Sequence, residues 1–163
     1  MHDESPLGAR DVPLAPLTTL GLGGPAAHLL RTSAPAALAR ALESAAAAGL
    51  PVFVLGGGSN LLVADAGFPG LVVQLAPGRL ALQADGTVTA DAGVSWETLV
   101  DAAVDAGLAG VECLTGIPGT VGAAPIQNIG AYGQEVADVL TGLTAWDRVA
   151  GRVVELSHAD CGF

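Results

Sequence analysis

Apolar positions along the chain change their period several times, and each change marks an element. Residues 27–31 read as a strand, and residues 51–55 are an apolar run of strand length. Between them Leu38, Ala41, Leu42 and Ala45 recur at the three-and-four spacing of an amphipathic helix. Ser33 stands where a helix N-cap is expected, Pro35 suits a first turn and Gly49 a stop, so the predicted order is strand, helix, strand. The alanine run 45–48 reads as thin helix surface. Residues 61–63 and 71–75 read as further short strands, parted by the turn-rich stretch 65–70. Residues 80–84 and 87–91 flank Asp85-Gly86, the signature of a type I′ hairpin. Ser95 then caps a helix to about Ala106, with Leu99, Val100 and Ala103 inward and Glu97, Asp101 and Asp105 outward or near the positive end of the dipole. Trp96 reads as a packing residue. Residues 140–148 and 152–156 form a second hairpin around 149–151, and Ser157 to Asp160 open a helix. The first dozen residues are polar or turn-like and are expected to be mobile. His28 reads as a strand residue and His158 as a helix-start residue.

Two stretches fit none of these periods. Leu55-Gly-Gly-Gly-Ser-Asn60 follows the 51–55 strand, and residues 116–135 carry Gly116, Gly119, Gly122, Gly130 and Gly133 with Pro118 and Pro125. Glycine lets a ligand reach main-chain N–H groups and proline pre-forms the loop, so both stretches read as ligand-gripping backbone. The first lies at the C-terminal end of a strand, where open α/β sheets place ligands. A third glycine cluster, Gly21, Gly23 and Ala26, formally matches a dinucleotide fingerprint. That reading is rejected: no uninterrupted apolar strand precedes it, Pro25 sits inside it, and Glu43 falls within a helix.

Composition narrows the ligand. The chain has 163 residues, enough for one domain or two small ones, and a subdomain boundary is expected near Pro77-Gly78, giving 1–77 and 78–163. No apolar run approaches the roughly 18 residues of a membrane span. A net charge of −10 argues against nucleic acid. The chain has no lysine, so phosphates would be held by main-chain N–H groups, hydroxyls and helix N-termini rather than by ammonium groups. A P-loop fails for want of its lysine. Cys113 and Cys161 show no metal-ligand spacing and read as reduced thiols, with no metal site expected. Met1-His-Asp-Glu-Ser-Pro lacks the features of a signal peptide, so a cytoplasmic protein is expected.

Leu55-Gly-Gly-Gly-Ser-Asn-Leu-Leu-Val63, the 116–133 loop and Thr18-Thr-Leu-Gly-Leu-Gly-Gly-Pro-Ala26 together resemble, in order, three motifs of the MurB family, the UDP-N-acetylenolpyruvoylglucosamine reductases of bacterial cell-wall synthesis. The resemblance implies an α+β fold, made of α/β subdomains, of the para-cresol methylhydroxylase/vanillyl-alcohol oxidase type, with non-covalent FAD between two subdomains. It implies FAD contacts at Leu55, Gly56, Gly57, Gly58, Ser59, Asn60 and Leu61, with the amides of Gly56, Gly57, Gly58, Ser59 and Asn60 meeting the pyrophosphate. A second set runs beside the flavin: Gly116, Ile117, Pro118, Thr120, Gly122, Ala123, Asn128, Gly130, Ala131, Tyr132 and Gly133. For Tyr132 a plain core aromatic, and for Asn128 a turn-stabilising contact, remain as the structural alternatives. The implied reaction uses NADPH to reduce FAD and then the enolpyruvyl group of a nucleotide sugar, by a monomer without nucleic-acid or membrane partners. The family's catalytic arginine, serine and glutamate have no match here, so no catalytic residue is assigned, and the chain is expected to continue beyond Phe163 into a substrate domain. A non-catalytic flavin- or nucleotide-binding module is the alternative.

Overall fold

The computed structural model describes residues 5–163. It forms two compact units, divided between Ala76 and Pro77. Of the stretch expected to be mobile, residues 1–4 lie outside the described residues.

The first unit is built on a four-stranded mixed sheet in the order β1-β2-β4-β3. Its strands are β1 (Ala9–Pro13), β2 (Pro25–Thr32), β3 (Val52–Leu55) and β4 (Phe68–Leu75), with helix α1 (Pro35–Ala47) between β2 and β3. β2, β3 and β4 run parallel, and β1 pairs antiparallel with β2 from Ala9↔Leu29 to Pro13↔Pro25. β4 is central and apolar on both faces, as a strand covered on both sides must be. Leu71 and Val73 pack on Ala41 and Ala45 of α1, whereas Val72, on the other face, meets Leu14, Ala26 and Leu55.

Four expectations need correcting here. β1 occupies sequence expected to be mobile; as an exposed edge strand with Asp11 at φ 52°, it carries the polar residues that hide a strand. Residues 61–63 are not a strand. Leu61 and Val63 are apolar because they cover the second face of the sheet, without a ladder partner. Ser33 does not cap α1: the N-cap is Ala34, whose N–H is bound by the Thr32 hydroxyl instead. Ala45, read as helix surface within its alanine run, is fully buried.

The second unit holds three two-stranded sheets among its described residues: β5 (Leu80–Leu82) with β6 (Val88–Ala90), β7 (Gly130–Ala131) with β8 (Gln134–Glu135), and β9 (Gly142–Asp147) with β10 (Arg152–Ser157). The β5–β6 connection is not type I′. Gly86 alone has positive φ, its N–H bonds Gln83 O, and Thr87 N–H bonds the Asp85 carboxylate, which describes a type I turn closed by a glycine bulge. Helix α2 (Trp96–Asp105) is capped by Ser95, whose hydroxyl accepts from Thr98 N–H at 3.1 Å. It buries Trp96, Val100 and Ala103 against Val111, Leu114, Ala124 and Val136. The short α3 (Ala124–Gln127) lies within the long glycine stretch, and α4 (His158–Cys161) opens with a reciprocal Ser157/Asp160 box.

Candidate functional site

β3 delivers the chain at Leu55, buried in the core, into the turn formed by Gly56, Gly57, Gly58, Ser59 and Asn60. Leu61, at its far side, packs back on the same core. Gly58 has a structural reason to be glycine: φ is 70°, and a Cβ would run into the Leu17 carbonyl. Its own carbonyl accepts from Thr19 N–H at 3.0 Å. The segment that makes these contacts is itself tied, since the buried Thr18 hydroxyl reaches Ala15 O at 3.1 Å and Leu22 O at 3.0 Å. The Thr-Thr-Leu-Gly-Leu-Gly-Gly motif is thus the floor of the first glycine turn, and Gly24, bonded to Ala64 O, continues that support. Among the described residues, the main-chain N–H groups of Gly57, Gly58 and Ser59 have no protein acceptor. Consecutive free amides of this kind suit an anion.

The long stretch in the second unit alternates anchors with exposed positions. Ile117, Val121, Ile129 and Ala131 pack on the core and Ala124 is inside it, while Ile126 is 83% and Tyr132 94% exposed. Gly122 sits where any Cβ would meet Ala92, and its N–H bonds Ala92 O. Thr120 is half-buried and bridges Ser95, its carbonyl accepting from Ala123 and Ala124. Ala123 is the N-cap of α3, Pro118 is exposed, and Gly116 gives its N–H to Glu97 at 2.7 Å. Asn128, left-handed at φ 42°, is committed through its amide: Nδ2 donates to Glu135 at 2.9 Å and Oδ1 accepts from Ala137 N–H at 3.1 Å. Tyr132 is no core aromatic. With Gly133 it forms a two-residue turn between the paired Ala131 and Gln134, both at positive φ, which is the type I′ geometry. Gly130 pairs with Glu135 below it. Tyrosine seldom adopts that backbone, so a strained turn holds an aromatic ring in solvent.

Ionisable groups are sparse in both stretches. Glu112 is held below the usual carboxylate range, first by its own N–H and then by those of Gly110 and by the Gln134 side chain, at the base of the second stretch. Asp85, Asp147 and Asp160 are likewise lowered by hydrogen bonds, in the turns and helix start that carry them. Cys113 and Cys161 are free thiols, and no three ligating side chains gather around a metal position among the described residues. His28 lies in β2 and His158 at the start of α4. No helix among the described residues is long and apolar enough to cross a membrane. Sequence reasoning missed Glu97 and Ile126; the first looked like a helix-start acid, and the second was one apolar residue among many.

Residues 26–157 match the FAD binding domain family, and the chain belongs to that family. Its cofactor is FAD, and its fold is the α+β flavin-binding fold of the para-cresol methylhydroxylase/vanillyl-alcohol oxidase type. The UDP-N-acetylenolpyruvoylglucosamine reductase of Streptomyces coelicolor is 51% identical over 154 residues, taking in 94% of this chain and 40% of its own length. That of Thermobifida fusca is 50% identical over 159 residues, with 95% and 45% covered. The crystal structure of the MurB reductase from Thermus caldophilus matches with a TM-score of 0.76 at 36% identity, covering 93% of this chain and 53% of that one. A 6-hydroxy-D-nicotine oxidase from Arthrobacter nicotinovorans, at a TM-score of 0.66 and 19% identity over 98% of this chain and 35% of that one, shares the fold alone. The chain spans 40% and 45% of the lengths of the two curated relatives.

Proposed function

We propose that the chain grips FAD with its two glycine stretches, as the flavin-binding part of a reductase that uses NADPH to convert UDP-N-acetylglucosamine enolpyruvate to UDP-N-acetylmuramate. The observation that carries this reading is the run of unpartnered amides at Gly57, Gly58 and Ser59 in a chain without lysine. A diphosphate needs donors, and main-chain N–H groups supply them without an ammonium group. When bound, FAD supplies the ability to take up and give back a hydride. The chain's own residues hold and orient it. The first stretch donates to the diphosphate, while Tyr132 and Ile126 offer apolar surface to a planar ring from a stretch whose other apolar residues are anchored in the core. Hydride addition to an enol ether also needs a partner for the carboxylate and a proton donor at the α-carbon. Neither is assigned to a residue of this chain. A cytoplasmic, monomeric protein belongs to the same reading.

Titration of the purified chain with FAD, followed by flavin fluorescence, is expected to give saturable 1:1 binding; none in a folded chain would overturn the proposal. NADPH-dependent formation of UDP-N-acetylmuramate is expected from the Streptomyces coelicolor relative but not from these 163 residues with added FAD. Comparable turnover by the chain would put the catalytic groups within it.

Tyr132→Asn separates the two roles of the strained turn. Asparagine tolerates positive φ, so the flavin-free chain is expected to gain roughly 0.5–1 kcal/mol in thermal unfolding. Loss of an aromatic contact of about 0.5–1.5 kcal/mol should weaken FAD binding by up to about tenfold. Unchanged affinity would remove Tyr132 from the cofactor.

A further inference from the structure

We propose that Glu97 is a positioning residue for the flavin stretch, setting its entry segment through Thr115 and Gly116. The proposal rests on the reading of residues 116–135 as flavin-holding. Glu97 lies in the first turn of α2, where an acid is commonly no more than a favourable charge near the dipole. Here both carboxylate oxygens are engaged across 18 and 19 residues of sequence: Oε1 accepts from Thr115 Oγ1 at 3.1 Å and Oε2 from Gly116 N–H at 2.7 Å.

These two bonds belong to a clamp made by consecutive residues. Trp96 Nε1–H donates to Leu114 O at 3.0 Å, and Trp96 N–H donates to Gly119 O at 3.1 Å, which together with Val121 N–H on Val94 O makes the bridge that sets Ser95 opposite Thr120. Trp96 and Glu97 therefore hold four points of this segment, at Leu114, Thr115, Gly116 and Gly119. α2 is itself fixed by the Ser95 cap and by Trp96, which is 3% exposed, so the clamp has a rigid side. The other side is anchored by side chains only at Leu114 and Ile117. Thr115, Gly116 and Pro118 are exposed, Gly116 and Gly119 take φ of 75° and 144°, and no atom would crowd a Cβ at either glycine. With so little side-chain packing there, hydrogen bonds select one conformation of a segment that glycine would otherwise leave free.

If a flavin binds only the clamped conformation, its apparent affinity scales with the fraction of chains in that conformation. Glu97→Ala removes both bonds, and Glu97→Asp withdraws the carboxylate by one methylene. Each is expected to weaken FAD binding about tenfold or more. Glu97→Gln can keep both bonds, with Oε1 accepting from Gly116 N–H and Nε2 donating to Thr115 Oγ1, and should bind FAD within about twofold of the parent. Glu97→Gln and Glu97→Ala lose the same charge at the helix start, so that part of any fall in melting temperature is common to both and does not follow affinity. Thr115→Val, which removes one bond from the other side, should show a smaller loss and serves if Glu97→Ala fails to fold. Equal affinity in the parent, Glu97→Asp and Thr115→Val would overturn the proposal, as would a Glu97→Gln variant as weak as Glu97→Asp. Failure of the parent itself to bind FAD would instead overturn the reading on which the proposal stands.

Discussion

Gly57→Val is expected to lower FAD affinity by more than about a hundredfold while leaving the flavin-free chain folded. Gly57 is exposed, its φ lies outside the left-handed region, and its carbonyl and N–H bond nothing else among the described residues. Neither its φ nor its exposure therefore opposes a side chain, and an exposed substitution usually changes stability by no more than about 0.5 kcal/mol. A branched side chain beside the free amides of Gly57, Gly58 and Ser59 crowds the position a diphosphate would take. Each hydrogen bond to a charged group contributes about 1.5–3 kcal/mol, so losing two of them is about 3 kcal/mol or more. At 1.4 kcal/mol per decade, that exceeds a hundredfold. Fluorescence titration and a thermal melt on the same sample check both halves. Unchanged affinity in a folded variant would remove the first stretch from the diphosphate.

How much of this was legible in the sequence depends on what each residue had to satisfy. α1 and α2 could be placed because Leu38, Ala41, Leu42 and Ala45, and Leu99, Val100 and Ala103, repeat a burial pattern that only a helix produces. β4 could be placed because burial on both faces leaves the consecutive apolar residues Leu71, Val72 and Val73. β1 could not, since an exposed edge selects polar residues, and residues 61–63 misled because covering a sheet and belonging to one demand the same apolar side chains. In the glycine stretches the motifs marked the place without sorting the roles. Gly58 and Gly122 are glycine because neighbouring atoms leave no room for a Cβ, whereas Gly116 and Gly133 are so for φ alone. Glu97 escaped notice because its partners lie 18 and 19 residues away, a distance that no local pattern reveals.

Gly58→Ala, one residue beyond Gly57, is expected to act on the fold before it acts on the cofactor. A left-handed conformation costs an alanine about 1–2 kcal/mol, and forcing a methyl group against backbone costs about 1–3 kcal/mol more. The atom it meets is the carbonyl of Leu17, which cannot swing aside as a flexible side chain could. Leu17 packs on the cluster of Leu14, Ala26, Leu55 and Val72, and Thr18 is pinned at two carbonyls, so displacing this segment disturbs one whole face of the sheet. The summed loss of about 2–5 kcal/mol is a large share of the 5–15 kcal/mol by which a domain is ordinarily stable. Denaturant unfolding should show the midpoint falling by a corresponding amount, with FAD affinity falling only as far as the folded fraction does. A Gly58→Ala chain that keeps its midpoint but loses FAD would mean that Gly58 is glycine for the ligand's sake. The Leu17 contact would then be incidental.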